Sequence, residues 1–324
     1  MKRVVSLLFL TAFLAFTTTA CGSGQTPSAV PPTEAPPTVA SPTEAPPTEA
    51  PTELPSPTPE PPTETPPPEL PSLAPLPPEP QEIEFQAADG QALLGTYYPA
   101  AVNPAPLVVL MHWAPGDGSD WIEIAYWLQN RGLGGQTDPT ATWLDPSWFP
   151  EIPSEWEEQS FGVFTFTFRG CEGGCSSFEP DGWLLDAQAA METARGLEGV
   201  DQQRMVAAGA SIGADGAPDG CYLLNQQHEN SCLGGFSFSP GNYLTVPYAD
   251  AVDELGAEQP PKPDWCLFAV DDTDSAEACQ SAAGDHYRMV QYEGALHGMM
   301  LIDPNVEPDA LLLLLEFIEL SLGL

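Results

Sequence analysis

Ser211 sits at the centre of "GASIG", residues 209–213, and a serine hydroxyl is a weak nucleophile unless a neighbouring base takes its proton. The chain has four histidines to supply that base: His112, His228, His286 and His297. The stretch "DDTDS" offers three carboxylates, Asp271, Asp272 and Asp274, any of which could orient an imidazole and stabilise it once charged. A serine, a histidine and an acid together could carry out nucleophilic attack on a carbonyl. A pentapeptide is short enough to arise by chance, so its weight depends on the surrounding elements. The serine must leave a strand and open a helix, with the acid and the histidine downstream in that order.

The chain after residue 80 has that alternation. "IEFQAADGQALLGTYYP" holds two apolar runs around Asp89–Gly90, a hairpin signal. "APLVVLMHW" is a continuous apolar run, as expected of a strand buried on both faces. "SDWIEIAYWLQNRG" has helical spacing, with Ser119 or Asp120 as N-cap and Gly132 as C-cap. After a long segment rich in Gly, Pro and Trp, "FGVFTFTF" predicts a strand and "DGWLLDAQAAMETARGL" a helix. "RMVAAGAS" predicts the strand that ends at the serine, followed by a helix reaching toward Asn225. "CLGGFSFSP" and "WCLFAV" read as strands, "AEACQSAAG" as a helix, "HYRMVQY" as a strand and "DALLLLLEFIELSL" as a closing helix. Strands alternating with helices predict an α/β fold, a mostly parallel central sheet with helices on both faces, opened by an antiparallel hairpin.

In such a sheet the loops beyond the carboxyl ends of the strands converge on one edge. Ser211 and His297, in "GALHGMM", both lie on loops of that kind, which makes His297 the expected base. Of the three aspartates Asp274 is the expected acid, about three residues into the turn, with Asp272 as the alternative and Asp271 behind both. A solvated acidic turn with no such role stays open. Ile212, opening the helix, would aim its backbone N–H at an oxyanion. The second donor would be the Trp113 N–H in "MHWAPGDG", with His112 ordering that loop. Trp143, Trp148, Phe149 and Trp156 would either wall an acyl pocket or pack as an ordinary long loop.

"HWAPGDG", "FRGCEGG", "GASIGA", "DDTDS" and "ALHG", in that order, make residues 81–324 resemble the alpha/beta-hydrolase superfamily, its dienelactone-hydrolase-like and esterase branches in particular. "FRGCEGG" is similar to the "RGxGxS" turn after the fourth strand, with Cys171 in place of a commoner apolar or aromatic residue. The resemblance implies a Ser–His–Asp hydrolase working through an acyl-enzyme, without metal or organic cofactor, on a small-molecule or ester substrate. It also covers amide and peptide hydrolases, and non-catalytic members that keep the fold as surface binding domains. An anionic acyl group is a poor fit, since only Arg169 among six domain cations falls near the expected site.

Composition bounds the rest. The full chain has 8 Lys and Arg against 46 Asp and Glu, a net charge of −38, which repels nucleic acid and anionic lipid. Residues 22–80 hold 22 of the 39 prolines in near-repeats of "PTEAPPT", so residues 21–80 read as an extended tether, roughly 180 Å at full reach. Ahead of it, Lys2 and Arg3 precede an apolar run over residues 4–16, shorter than the ~20 residues that span a bilayer, as in a signal peptide over residues 1–20. "TTTACGSG" resembles a bacterial lipoprotein signal, with Thr18 where that pattern usually has Leu. It implies lipidation of Cys21 and anchoring outside the cytoplasm, the lipid being the only membrane contact. Ordinary cleavage after Ala20 is the alternative. The other six cysteines pair most simply as neighbours, Cys171–Cys175, Cys221–Cys232 and Cys266–Cys279. The last two loops would each add about 2–3 kcal/mol. A redox role for Cys171 and Cys175 is the alternative there; a metal site is disfavoured because no histidine falls at ligand spacing and no CxxC occurs.

Overall fold

The computed structural model describes residues 78–129, 131, 148–152 and 160–324. The leader, Cys21, nearly all of the tether, Gly132, Trp143 and Trp156 lie outside these residues. By its internal contacts the chain divides into Met1–Pro67 and Pro68–Leu324, and the elements below all belong to the second unit.

Eight strands form one sheet: β1 (Gln81–Gln86), β2 (Ala92–Tyr98), β3 (Ala105–Met111), β4 (Gly162–Phe166), β5 (Val200–Ala210), β6 (Cys232–Phe238), β7 (Asp264–Ala269) and β8 (Tyr287–Tyr292). Their order is β1-β2-β4-β3-β5-β6-β7-β8. The hairpin β1–β2 and the pair β2–β4 are antiparallel, and every pair from β4 to β8 is parallel. Among the described residues six α-helices accompany them: α1 (Ile122–Leu128), α2 (Pro180–Arg195), α3 (Ile212–Gln227), α4 (Tyr248–Ala257), α5 (Thr273–Ser281) and α6 (Ala310–Leu322).

The uninterrupted apolar run of β3 follows from its central place, since both of its faces are covered. Alternate side chains leave the strand on opposite faces. Leu107, Val109 and Met111 join Trp183, Ala187 and Met191 of α2 and Leu224 of α3. Val108 and Leu110 join Ile124 of α1 and Leu314 and Phe317 of α6 on the other face.

Two local expectations are corrected. Asp117, rather than Ser119 or Asp120, caps the 3-10 turn that leads into α1, because its Oδ1 accepts the Ser119 N–H at 2.9 Å. A further helix, α4, fills the crossover from β6 to β7, where the sequence pattern predicts none. Its apolar residues Tyr248, Ala251, Val252 and Leu255 make a helical stripe that is buried, behind a Gly- and Pro-rich approach that masks it. Trp148 and Phe149, the two described members of the Trp143, Trp148, Phe149 and Trp156 group, pack against the core. Phe149 meets Trp127 with ring centroids 6.0 Å apart, and the Trp127 indole donates to Pro150 O at 2.8 Å.

Candidate active site

β5 ends at Ala210, and the chain turns directly into α3 at Ile212. Between them Ser211 has φ 52° and ψ −114°, a left-handed conformation that is strained for a serine. The turn closes only because its neighbours lack side chains. A Cβ on Gly209 would lie 1.9 Å from Gly213 O, and one on Gly213 would lie 2.2 Å from Met111 O. The Ser211 N–H donates to Phe238 O at 2.8 Å and the Gly213 N–H to His112 O at 3.2 Å, so the turn is tied to the strands on either side. Ser211 itself is 4% exposed.

His297 follows β8 and reaches across to this turn. Its Nε2 stands 2.9 Å from Ser211 Oγ, and its Nδ1 stands 2.7 Å from Asp272 Oδ2. A carboxylate only accepts hydrogen bonds, so the imidazole proton sits on Nδ1 and the Nε2 lone pair faces the serine hydroxyl. This tautomer can take the hydroxyl proton as an oxygen nucleophile forms, and Asp272 can stabilise the resulting imidazolium.

Asp274 is not the acid in contact with His297. β7 pairs with β8 as far as Ala269, and the turn closes through the Asp272 N–H to Ala269 O at 3.1 Å. Three residues beyond the strand is therefore position 272. Asp274 falls in the exposed first turn of α5, and Asp271 is exposed in the turn itself. Asp272 is the N-cap residue of α5 by position, yet its side chain makes no capping bond there.

Of the other histidines, His112 is fully buried beside the site. Its Nε2 accepts the Phe168 N–H at 2.9 Å, so Nδ1 carries the proton and donates to Trp113 O at 2.7 Å. Burial pushes its pKa down to about 4, and it stays a neutral brace for the loop after β3. The Trp113 indole donates to Asp120 Oδ2 at 2.7 Å, and burial raises that carboxyl to about 6. His228 pairs with Glu192 at 3.1 Å, and His286 lies 3.0 Å from Val252 O. Ile212 is the first residue of α3, and the leading N–H groups of a helix have no partner within it. Trp113 lies in the loop that follows β3.

The loop after β3 is braced by a second loop. Cys175 N–H donates to Ala114 O at 2.7 Å and Gly173 N–H to Asp117 Oδ2 at 2.8 Å. Cys171 and Cys175 are disulfide-bonded, as are Cys221 with Cys232 and Cys266 with Cys279. Arg169 is engaged by Asp186 and Asp89, so its guanidinium is not free for a substrate anion. The loop after β6 carries two functional-looking residues that sequence reasoning passes over. Ser239, at φ 56°, accepts the Gly298 N–H on its Oγ at 3.0 Å, and the Tyr243 ring meets His297 edge-on at 6.3 Å. Their only signal in the sequence is their position just past a strand end.

The structure of a Pyrobaculum calidifontis esterase is similar over 75% of this chain and 86% of its own, with 14% identity and a TM-score of 0.52. A metagenomic ester-hydrolase from Lake Arreo, EH1AB1, covers 80% and 85%, with 15% identity and a TM-score of 0.50. Among curated proteins, the Escherichia coli K12 protein named "Uncharacterized protein YfhR" is 31% identical over 133 residues, as is its counterpart in strain O157:H7. The match spans 41% of this chain and only 38% of the length of those relatives. No protein-family model matches the chain. With its eight-stranded, mostly parallel sheet flanked by helices, the chain has the alpha/beta-hydrolase fold.

Proposed function

We propose that this alpha/beta-hydrolase fold is a serine hydrolase acting on carboxylic esters through an acyl-enzyme. The observation that carries the proposal is the placement of His297 Nε2 2.9 Å from Ser211 Oγ at the strained turn, with Asp272 on the far side of the imidazole. Ser211 Oγ attacks the acyl carbon as His297 takes its proton. The developing oxyanion is held by the backbone N–H groups of Ile212 and Trp113. The tetrahedral intermediate collapses, His297 returns the proton to the leaving alkoxide, and an alcohol departs. Water, deprotonated by His297, then attacks the acyl-serine and releases the acid. Asp272 keeps the imidazole in the productive tautomer throughout.

Esters are preferred over amides because the two structural neighbours above are described as an esterase and an ester-hydrolase. Location outside the cytoplasm, with a lipid on Cys21, is part of the same proposal. It is supported by the apolar leader and by three disulfides, which persist in oxidising compartments.

The test is covalent. The purified protein is treated with a fluorophosphonate and the adduct mapped by mass spectrometry. One adduct on Ser211, abolished by Ser211→Ala and by His297→Ala, is the expected result. Folded, disulfide-intact protein that takes no label refutes the proposal.

A further inference from the structure

Asp215 lies one turn past Ser211 in α3, fully buried, and the scheme above has no part for it. Its carboxylate accepts the N–H of Gly241 at 3.2 Å and the N–H of Tyr243, both in the loop that leaves β6. That same loop touches the His297 segment twice. Ser239 Oγ accepts the N–H of Gly298, the residue after His297, at 3.0 Å. The Tyr243 ring stands edge-on to the imidazole at an interplanar angle of 81°. Farther along, Asn242 Oδ1 accepts the Tyr248 N–H at 2.8 Å and fixes the loop to α4. The helix that carries the nucleophile and the segment that carries the base are thus joined in series through residues 239–243.

A carboxylate in the interior of a helix packed against a sheet is costly, and an alanine would fit the site at less expense. Burial pushes Asp215 up to about 7, with the backbone N–H groups of the loop acting in the opposite sense. The ionisable groups around it give no compensating charge. Asp219, the next turn of α3, is buried with neither oxygen hydrogen-bonded, and Asp215 and Asp264 both repel it. Asp264 bonds the Tyr248 hydroxyl, and Tyr243 carries its own phenol. What the carboxylate gains is the loop.

We propose that Asp215 is a positioning residue: by holding the 239–243 loop it keeps His297 Nε2 in register with Ser211 Oγ, acting through Ser239 and Tyr243. This rests on the serine-hydrolase function proposed above. Misplacing a catalytic group by ~1 Å costs on the order of 100-fold in rate, so a loosened loop has a measurable effect.

Asp215→Asn keeps one acceptor oxygen but turns an amide donor toward the second backbone N–H. Ser239→Ala removes the acceptor for Gly298. Each variant of the full chain is compared with wild type for fluorophosphonate labelling rate, kcat and KM on p-nitrophenyl acetate, and thermal midpoint. The expected result is labelling and kcat lower by about 10- to 100-fold with KM changed by less than about twofold. The double variant should be no slower than about the slower single one, because both act through one loop. The rising limb of the pH–rate profile should also lose one ionisation in Asp215→Asn. Wild-type rates and an unchanged pH profile in both variants overturn the inference. Should Asp215→Asn fail to fold, Ser239→Ala decides alone, and wild-type kcat there overturns it. Wild-type protein that takes no label refutes the hydrolase function instead. In that event the downfield proton resonance of the His297 Nδ1–H···Asp272 bond still decides: a shift in Asp215→Asn supports the positioning, and an unmoved resonance overturns it.

Discussion

Asp264 should make the folded protein lose stability as pH rises through neutrality. It opens β7, fully buried, with Oδ1 accepting the Tyr248 hydroxyl at 2.6 Å and Oδ2 without a hydrogen-bond partner among the described residues. Burial pushes its pKa up to about 8 from the ordinary 3.8. The folded state therefore holds this proton more tightly than the unfolded chain. Its contribution is full below about pH 4 and falls as pH rises, at about 1.4 kcal/mol per unit, levelling off above pH 8. Between pH 6 and pH 8 the loss through this one group is about 2 kcal/mol, because titration is half complete at the upper limit. Asp264→Asn has nearly the same shape, keeps an acceptor for Tyr248 and cannot ionise. Urea unfolding followed by tryptophan fluorescence, with the disulfides intact, is measured at pH 6 and pH 8 for both proteins. The wild type should drop by about 2 kcal/mol more than the variant, on the order of 1 M in urea midpoint. Parallel behaviour of the two proteins would refute the reasoning, whatever the common pH slope. Asp215, pushed to about 7, has the same sign, and so does Asp219, which burial and its acidic neighbours raise. His112 opposes them at lower pH. Held neutral with a pKa near 4, it contributes stability above about pH 6.5 that is lost as pH falls toward 4.

Two further outcomes are expected. Asp272→Asn should lower kcat by about 10³- to 10⁴-fold by favouring the wrong imidazole tautomer, whereas Asp274→Asn should change it by less than about threefold, as steady-state ester hydrolysis would show. Gly213→Ala forces a methyl to within 2.2 Å of Met111 O, a backbone atom that cannot swing aside. A loss of roughly 3 kcal/mol or more in unfolding free energy should follow, with Ser211 no longer labelled by a fluorophosphonate.

The parts legible in the sequence are those whose physical cause is local. Gly209 and Gly213 record in their residue type the close approach that the turn at Ser211 demands. The strand before and the helix after it show in apolar periodicity over a dozen residues. The alternation of elements implied a parallel sheet, and a parallel sheet brings the loop of His297 to the same edge as Ser211. Neighbouring cysteines pair across short loops, and the structure joins Cys221 to Cys232 and Cys266 to Cys279 in that way.

The choice among Asp271, Asp272 and Asp274 has no local cause. It depends on where the ladder between β7 and β8 stops, at Ala269 opposite Tyr292, and so on a pairing of segments more than twenty residues apart. Helix α4 carries its apolar stripe in its own ten residues, and only the Gly- and Pro-rich approach ahead of it masks the pattern. Asp215 reads in sequence as an unremarkable polar residue in a helix. Only the packing of α3 under the loop after β6 turns it into the acceptor for Gly241 and Tyr243, because the burial of a carboxylate and the partners that offset it are properties of the assembled layers.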